Sequence, residues 1–221
     1  MKRLTAMMAL TAATLLAACA NTPPSPDWQL NAKGSLDRSV QAYLQGNSRI
    51  AAVEVASARR ELARTGRADL SARAELTRCA AQVASLVFEV CAAYAPLAAD
   101  AGEAQRAYND YLKGALKPAD VDLLPEQHRA LALGKPSLET LQAMRDPLAQ
   151  LVAAAVLLQT GRAEPAVMDM AVNTSSAQGW SRPLLAWLNA QLMRAQAAGE
   201  VVRADQLRRR IERVLEPASA R

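Results

Sequence analysis

An all-α fold is what this sequence predicts, and three observations predict it. Ala makes up about a fifth of the 221 residues, aromatics only 4%, and there is a single Phe. Ala and Leu are strong helix formers, while the β-branched and aromatic side chains that favour strands are scarce. From Ser35 onward, apolar residues recur at three- and four-residue spacing between glycine and proline stops. Hydrophobic residues at 51% and charged residues at 21% are the balance of a folded globular chain rather than a disordered one.

Residues 1–18 stand apart from that body. Met1-Lys2-Arg3 give a positive start, LTAMMALTAATLLAA follows as an apolar run, and small residues lead to Cys19. Charged, then apolar, then small is the layout of a secretory signal. The run is shorter than the roughly 20 residues a membrane span needs. The junction Leu16-Ala17-Ala18-Cys19 resembles the lipobox of bacterial lipoproteins. The resemblance implies that the Cys19 thiol receives a diacylglycerol, that the signal at 1–18 is cut before it, and that the new amine is acylated. Two or more acyl chains anchor a protein stably to a membrane. Ala20 occupies the position at which Asp, in that family, retains the protein in the inner membrane. The expectation is an outer-membrane lipoprotein with its body facing the periplasm, and with no cofactor beyond the covalent lipid.

Residues 19–34 read as a lipidated, Pro-rich tether. Pro23-Pro24-Ser25-Pro26 favours extended polyproline II, with Trp28 expected to cap the core of the domain. The helical domain then spans 35–216. Ser35 is read as the N-cap of a first helix ending at Gly46. Further helices are read from Ser48 to a stop at Gly66, from Asp69 to about Phe88, and from Asp100 to Lys113. Pro118, Pro125 and Pro136 break the segment 115–136, a candidate boundary between two halves. Ser137 caps a short helix. Asp146-Pro147 places a cap before Pro at the first helical position, and the apolar run that follows, LAQLVAAAVLLQT, should be central. Glu164-Pro165, Ser181-Arg182-Pro183 and Val201 start the last three.

Several glycines precede an Ala by five residues: Gly46 and Ala51, Gly102 and Ala107, Gly161 and Ala166, Gly199 and Ala204. This resembles the tetratricopeptide repeat, in which a small turn residue reverses the chain and an Ala on the second helix closes the hairpin. Residues 184–217 carry the fullest version. The glycines at 46, 66, 102, 161 and 199 lie 20, 36, 59 and 38 residues apart, whereas that repeat has a period of 34. Two architectures of antiparallel helical hairpins therefore stay open, a tetratricopeptide-like solenoid and an irregular helical bundle.

Chemistry is thinly signalled. The chain has one His, His128, read as a surface or helix-start residue. No two-His metal motif, nucleophile elbow or glycine-rich phosphate loop is present. Glu89 sits in an apolar stretch and is expected to face solvent or pair with an Arg. No catalytic or metal-ligating residue is nominated, although a glycosidase needs only two suitably placed carboxylates. Cys79 and Cys91 form no Cys-x-x-Cys. An oxidising compartment favours a disulfide. Within one straight helix twelve residues rise about 18 Å, far more than the roughly 4.4–6.8 Å a disulfide allows between Cα atoms. Bonding requires the helix to end near Phe88 and the chain to reverse before Pro96, so bonded and free thiols both stay open.

Candidate partner contacts are Trp180 and Trp187, seven residues apart, and the run Arg208-Arg209-Arg210. The formal charge of +5 includes Lys2 and Arg3, and the remaining Arg residues are interleaved with Asp and Glu. That is not the concentrated basic footprint of a nucleic-acid binder. Three functions follow in order of preference. The first is a non-enzymatic scaffold or adaptor with an envelope protein partner. The second is a carboxylate-based enzyme of the cell wall or of a small ligand. The third is a structural envelope lipoprotein.

Overall fold

The structure, a computed structural model, describes residues 24–134 and 137–219, with side chains to residue 216. The leader at 1–18, Cys19 and the first residues of the tether lie outside the described residues. Among the described residues there is no strand. Ten α-helices follow in order: α1 (Asp27–Leu44), α2 (Ser48–Ala63), α3 (Ala68–Ala84), α4 (Glu103–Leu112), α5 (Glu126–Leu133), α6 (Leu138–Gln142), α7 (Pro147–Gln159), α8 (Pro165–Ala177), α9 (Ser181–Ala197) and α10 (Val201–Ser219). Short 3₁₀ turns at Ala95–Leu97 and Pro118–Leu123 precede α4 and α5.

Consecutive helices pack as hairpins: α1 with α2, α7 with α8, α8 with α9, and α9 with α10. Two contacts between distant elements close the body, α3 against α7 and α1 against α9. The expected central helix is α7, with nine buried residues from Ala149 to Leu157. Its side chains at 153, 154 and 155 are all Ala, and α3 meets it with Ala72, Ala80, Ala81 and Ala84. Helix axes approach more closely where the contact residues are small, so an aromatic-poor, Ala-rich chain packs its core through close backbone approach. Each buried Leu on these faces contributes about 1.5–3 kcal/mol.

Several boundaries differ from the sequence reading. The tether ends at Pro26, and residues 27–34 form the first two turns of α1. Ser35 is therefore a buried residue within a helix, not a cap. Trp28 is half-buried on a small satellite cluster with Ala32, Leu62 and Ala74. The helix read from Asp100 begins at Glu103, with Gly102 as its N-cap in extended backbone. The elements at Pro118–Leu123 and Glu126–Leu133 pack on α4 and α7, and one cluster of buried side chains runs from Leu44 to Leu207.

The third helix stops at Ala84, four residues before the expected end. The chain reverses at Ser85-Leu86, with Leu86 at φ 59°, a left-handed conformation that costs a non-glycine residue roughly 1–2 kcal/mol. The reversal leaves Phe88 39% exposed and returns Cys91 to Cys79. The two are joined in a disulfide, with Cα atoms 5.9 Å apart. Trp187 of α9 fills the space behind this turn, fully buried, and its Nε1–H donates to the carbonyl of Ala84 at 3.1 Å. That carbonyl belongs to the last turn of α3, which has no acceptor site filled from within the helix.

A second tie joins the N-terminal hairpin to α9. Trp180 Nε1–H donates to Gln41 Oε1 at 3.1 Å, and Ser181 Oγ–H donates to the Gln45 carbonyl at 2.9 Å. Arg182 donates to the Tyr43 carbonyl and to Ser48 Oγ, both at 2.7 Å, while its guanidinium lies 4.3 Å from the centroid of the Tyr43 ring. Gly46 turns the chain between α1 and α2 at φ 87°, and a Cβ there would come 3.3 Å from Ser181 Oγ.

Candidate functional site

Three helices begin at one place. The first turns of α4, α5 and α7, together with one face of α3, surround a cleft of about 570 Å³. The α3 wall is Arg73, Leu76, Thr77 and Ala80, residues at the three- and four-residue spacing that places them on one helix face. Opposite stand Gln105 and Tyr108 of α4, Gln127 and His128 of α5, and Leu148, Ala149 and Val152 of α7.

Local sequence explains why each helix starts there. Asp146 caps α7, its carboxylate accepting from the Leu148 amide at 3.0 Å, and Pro147 follows at the first helical position. Pro125 starts α5 after the 3₁₀ turn, and Gly102 starts α4. Neither offers a side-chain acceptor to its helix, and an acidic residue, Glu103 or Glu126, stands in each first turn, where it complements the helix dipole. Arg73 stands exposed at the mouth, and no salt bridge holds it among the described residues.

Behind this rim lies a cluster of three rings. Tyr108 and Tyr111 have centroids 6.1 Å apart, Tyr108 and His128 5.8 Å, and Tyr111 and His128 4.9 Å. The Tyr111 hydroxyl is 3.2 Å from His128 Nδ1. Burial pushes both tyrosine hydroxyls well above their ordinary value; Asp146 adds to the effect at Tyr108, and Tyr108 adds to it at Tyr111. Burial lowers His128 to about 4, so the ring is neutral at neutral pH. The direction of the Tyr111–His128 hydrogen bond follows the ring tautomer, and His128 is among the residues lining the cleft. His128 is therefore not a surface residue: it is 1% exposed, because Tyr111 and the α7 wall cover it.

The cleft thus sets one cation, Arg73, and one carboxylate, Asp146, among apolar and neutral polar side chains. Asp146 is the one carboxylate lining the cleft, and it is engaged as a helix cap. In a second hollow of about 370 Å³ between α8, α9 and α10, Gln191 and Arg203 both donate to Asp169, with Arg194 and Glu200 also in the lining.

The sequence-nominated residues lie elsewhere. Trp180 and Trp187 are buried and hydrogen-bonded within the body, so neither indole is free to enter a partner groove. Arg208, Arg209 and Arg210 lie on α10, where Arg208 pairs with Asp205; Arg208 and Arg209 are exposed and Arg210 is half-buried. Glu89 is exposed. The buried carboxylate is Glu75, 4% exposed, held by Arg59 at 2.6 Å and Arg78 at 3.1 Å. Burial pushes its carboxyl up, but the hydrogen bonds and charges of the two arginines outweigh this and hold it below the ordinary value. That makes Glu75 a structural anion rather than a proton donor. The cleft itself was readable only in fragments: three helix starts and a mixed face on α3, with nothing to show that they converge.

Comparison with known protein families, with curated proteins and with solved structures yields no match.

Proposed function

We propose that this protein is a lipid-anchored adaptor of the bacterial envelope: a helical body tethered through Cys19 to the outer membrane, facing the periplasm, and acting by binding a protein partner. What supports the reading is the conjunction, in one chain, of a leader and a Leu16-Ala17-Ala18-Cys19 junction that resemble an export-and-lipidation signal with a disulfide between the two remaining cysteines. The two features are independent, and each belongs to an oxidising compartment outside the cytoplasm. The cleft supports the binding half of the reading, since it offers a volume of about 570 Å³ and its lining contains one carboxylate, not a facing pair. The glycosidase-like alternative needs such a pair.

Metabolic labelling with a palmitate analogue tests the anchor. The parent chain should be labelled and recovered with outer membranes, and the Cys19→Ser chain should be neither. Equal absence of label from both would overturn the anchored reading. Chemical crosslinking in intact cells tests the adaptor role, which fails if no protein is recovered reproducibly with the chain.

A further inference from the structure

The second helix is held on one side. Ala51, Ala58 and Leu62 are its buried residues, and it packs chiefly on α1. On the opposite side Arg49, Val53, Ala56, Arg60 and Arg64 follow at three- and four-residue spacing, which places them on one helix face, with Ile50 at its edge. Ile50 is 53% and Val53 64% exposed, and the three arginines are exposed. We propose that this face lies on the membrane surface and binds the headgroups of anionic phospholipids, which fixes the orientation of the anchored body. The inference rests on the anchored reading above and deepens it.

Charge separates this face from the others. The two carboxylates of α2, Glu54 and Glu61, are held by Arg38 and Arg64, each at 3.0 Å, and their side chains are largely covered. Arg49 and Arg60 enter no salt bridge among the described residues. Helix α10 carries more arginines, but Asp205, Glu212 and Glu216 are interleaved with them. Helix α1 exposes Asp27 and Asp37. A helix face that mixes cations with apolar side chains and lacks carboxylates has the composition that settles at a lipid–water interface. Each arginine near an anionic leaflet favours the surface about fivefold.

The tether brings a lipid surface to this face. Asp27, where α1 begins, is eight residues after Cys19, a stretch that spans at most about 28 Å. Trp28 and Ala32 at the start of α1 pack with Leu62 near the end of α2. Arg60 and Arg64 therefore stand beside the end of the hairpin that the tether holds. With 16 residues, α2 is about 24 Å long, no longer than the tether's reach. A lipid on Cys19 thus lets the whole helix lie along the bilayer, with the arginines among the headgroups and Ile50 and Val53 turned to the lipid.

Quenching by spin-labelled lipid tests the proposal on the full chain, expressed with its own leader and reconstituted in vesicles. A fluorophore is attached through Val53→Cys and, in a second protein, through Met193→Cys at an exposed position on α9. In vesicles that mix phosphatidylglycerol with phosphatidylcholine, the label at 53 should be quenched and the label at 193 should not. In phosphatidylcholine alone, quenching at 53 should fall to the level at 193. Arg49→Gln with Arg60→Gln should lower the ratio of surface-bound to detached face about thirtyfold and leave the melting temperature unchanged. Equal quenching of the two labels, or quenching at 53 that ignores both phosphatidylglycerol and the arginines, overturns the proposal. Shielding of position 53 by added polyglutamate and not by lipid also overturns it, assigning the face to an acidic protein partner. Flotation of the same vesicles reads the anchor separately. A chain that floats with its label at 53 unquenched refutes this inference alone, and a chain left behind refutes the anchored reading with it.

Discussion

The Tyr111 hydroxyl and His128 Nδ1 meet at 3.2 Å across a separation of 17 residues, joining α4 to α5 in the wall of the cleft. The contact holds the imidazole in place, and burial leaves the ring only 1% exposed.

Stability should therefore fall as the solution is acidified. His128 is lowered from 6.5 to about 4 on folding. Between those values the unfolded chain binds a proton that the folded chain refuses, so stability is complete above pH 6.5 and is lost progressively toward pH 4. The loss is on the order of 3 kcal/mol. Urea unfolding at pH 7.5 and pH 5 should show about 2 kcal/mol of it. Because the chain has one His, His128→Asn should flatten the slope in this window. An unchanged slope would show that the ring is already accessible to protons.

Removing the Cys79–Cys91 disulfide should cost about 2–3 kcal/mol. The bond closes a short loop across a sequence separation of 12, and loop closure of that size restricts the unfolded chain by about that much. Addition of a phosphine reductant, or Cys79→Ser with Cys91→Ser, should lower the melting temperature by several degrees. Differential scanning fluorimetry with and without reductant gives the comparison, and identical curves would mean the bond contributes nothing.

Glu75→Gln should destabilise the chain by about 2 kcal/mol at pH 7, less than for a fully buried pair because Arg59 is half in solvent. The wild-type carboxyl is held below its ordinary value, so its contribution is present above about pH 4.5 and disappears as pH falls below that. The variant should lack this acid limb. Guanidinium titrations at pH 7 and pH 3.5 would show the difference narrowing as Glu75 takes its proton.

Trp187→Ala should cost about 3–5 kcal/mol, combining a large cavity with the loss of the donor to the Ala84 carbonyl. Trp187→Phe restores most of the volume but not the hydrogen bond, and should cost about 1–2 kcal/mol. Unfolding followed by the fluorescence of Trp28 and Trp180 separates the two.

The sequence was most legible where chemistry is local. Asp146-Pro147 and Ser137 act as caps through their own side chains, and the apolar run after Pro147 becomes the buried centre. It was least legible where distant contacts decide. Nothing in Ser85-Leu86-Val87 announces a reversal, because Leu at a positive φ is held by the disulfide and the surrounding core rather than by preference. Glu75 sits in a helix whose charges read as a solvated face, and its burial depends on Arg59 from the neighbouring helix. His128 lies in an eight-residue helix, too short for a periodic signal, and only Tyr111 from another element reveals where it points. The disulfide occupied a middle position: its chemistry was readable, but its geometry required a turn that the residues do not advertise.

The tie between Arg182 and the α1–α2 turn bears on how the protein is made. The N-terminal hairpin leaves the ribosome first, yet the side chains that seat it, at 180 to 182, arrive more than 130 residues later. Until then the Gln45 carbonyl lacks the Ser181 donor and the adjoining α1 face waits for α9. Long-range closure of this kind slows folding and lengthens the time an incomplete chain exposes apolar surface. A chain that emerges N-terminus first must therefore be guarded from its neighbours until its last third is complete.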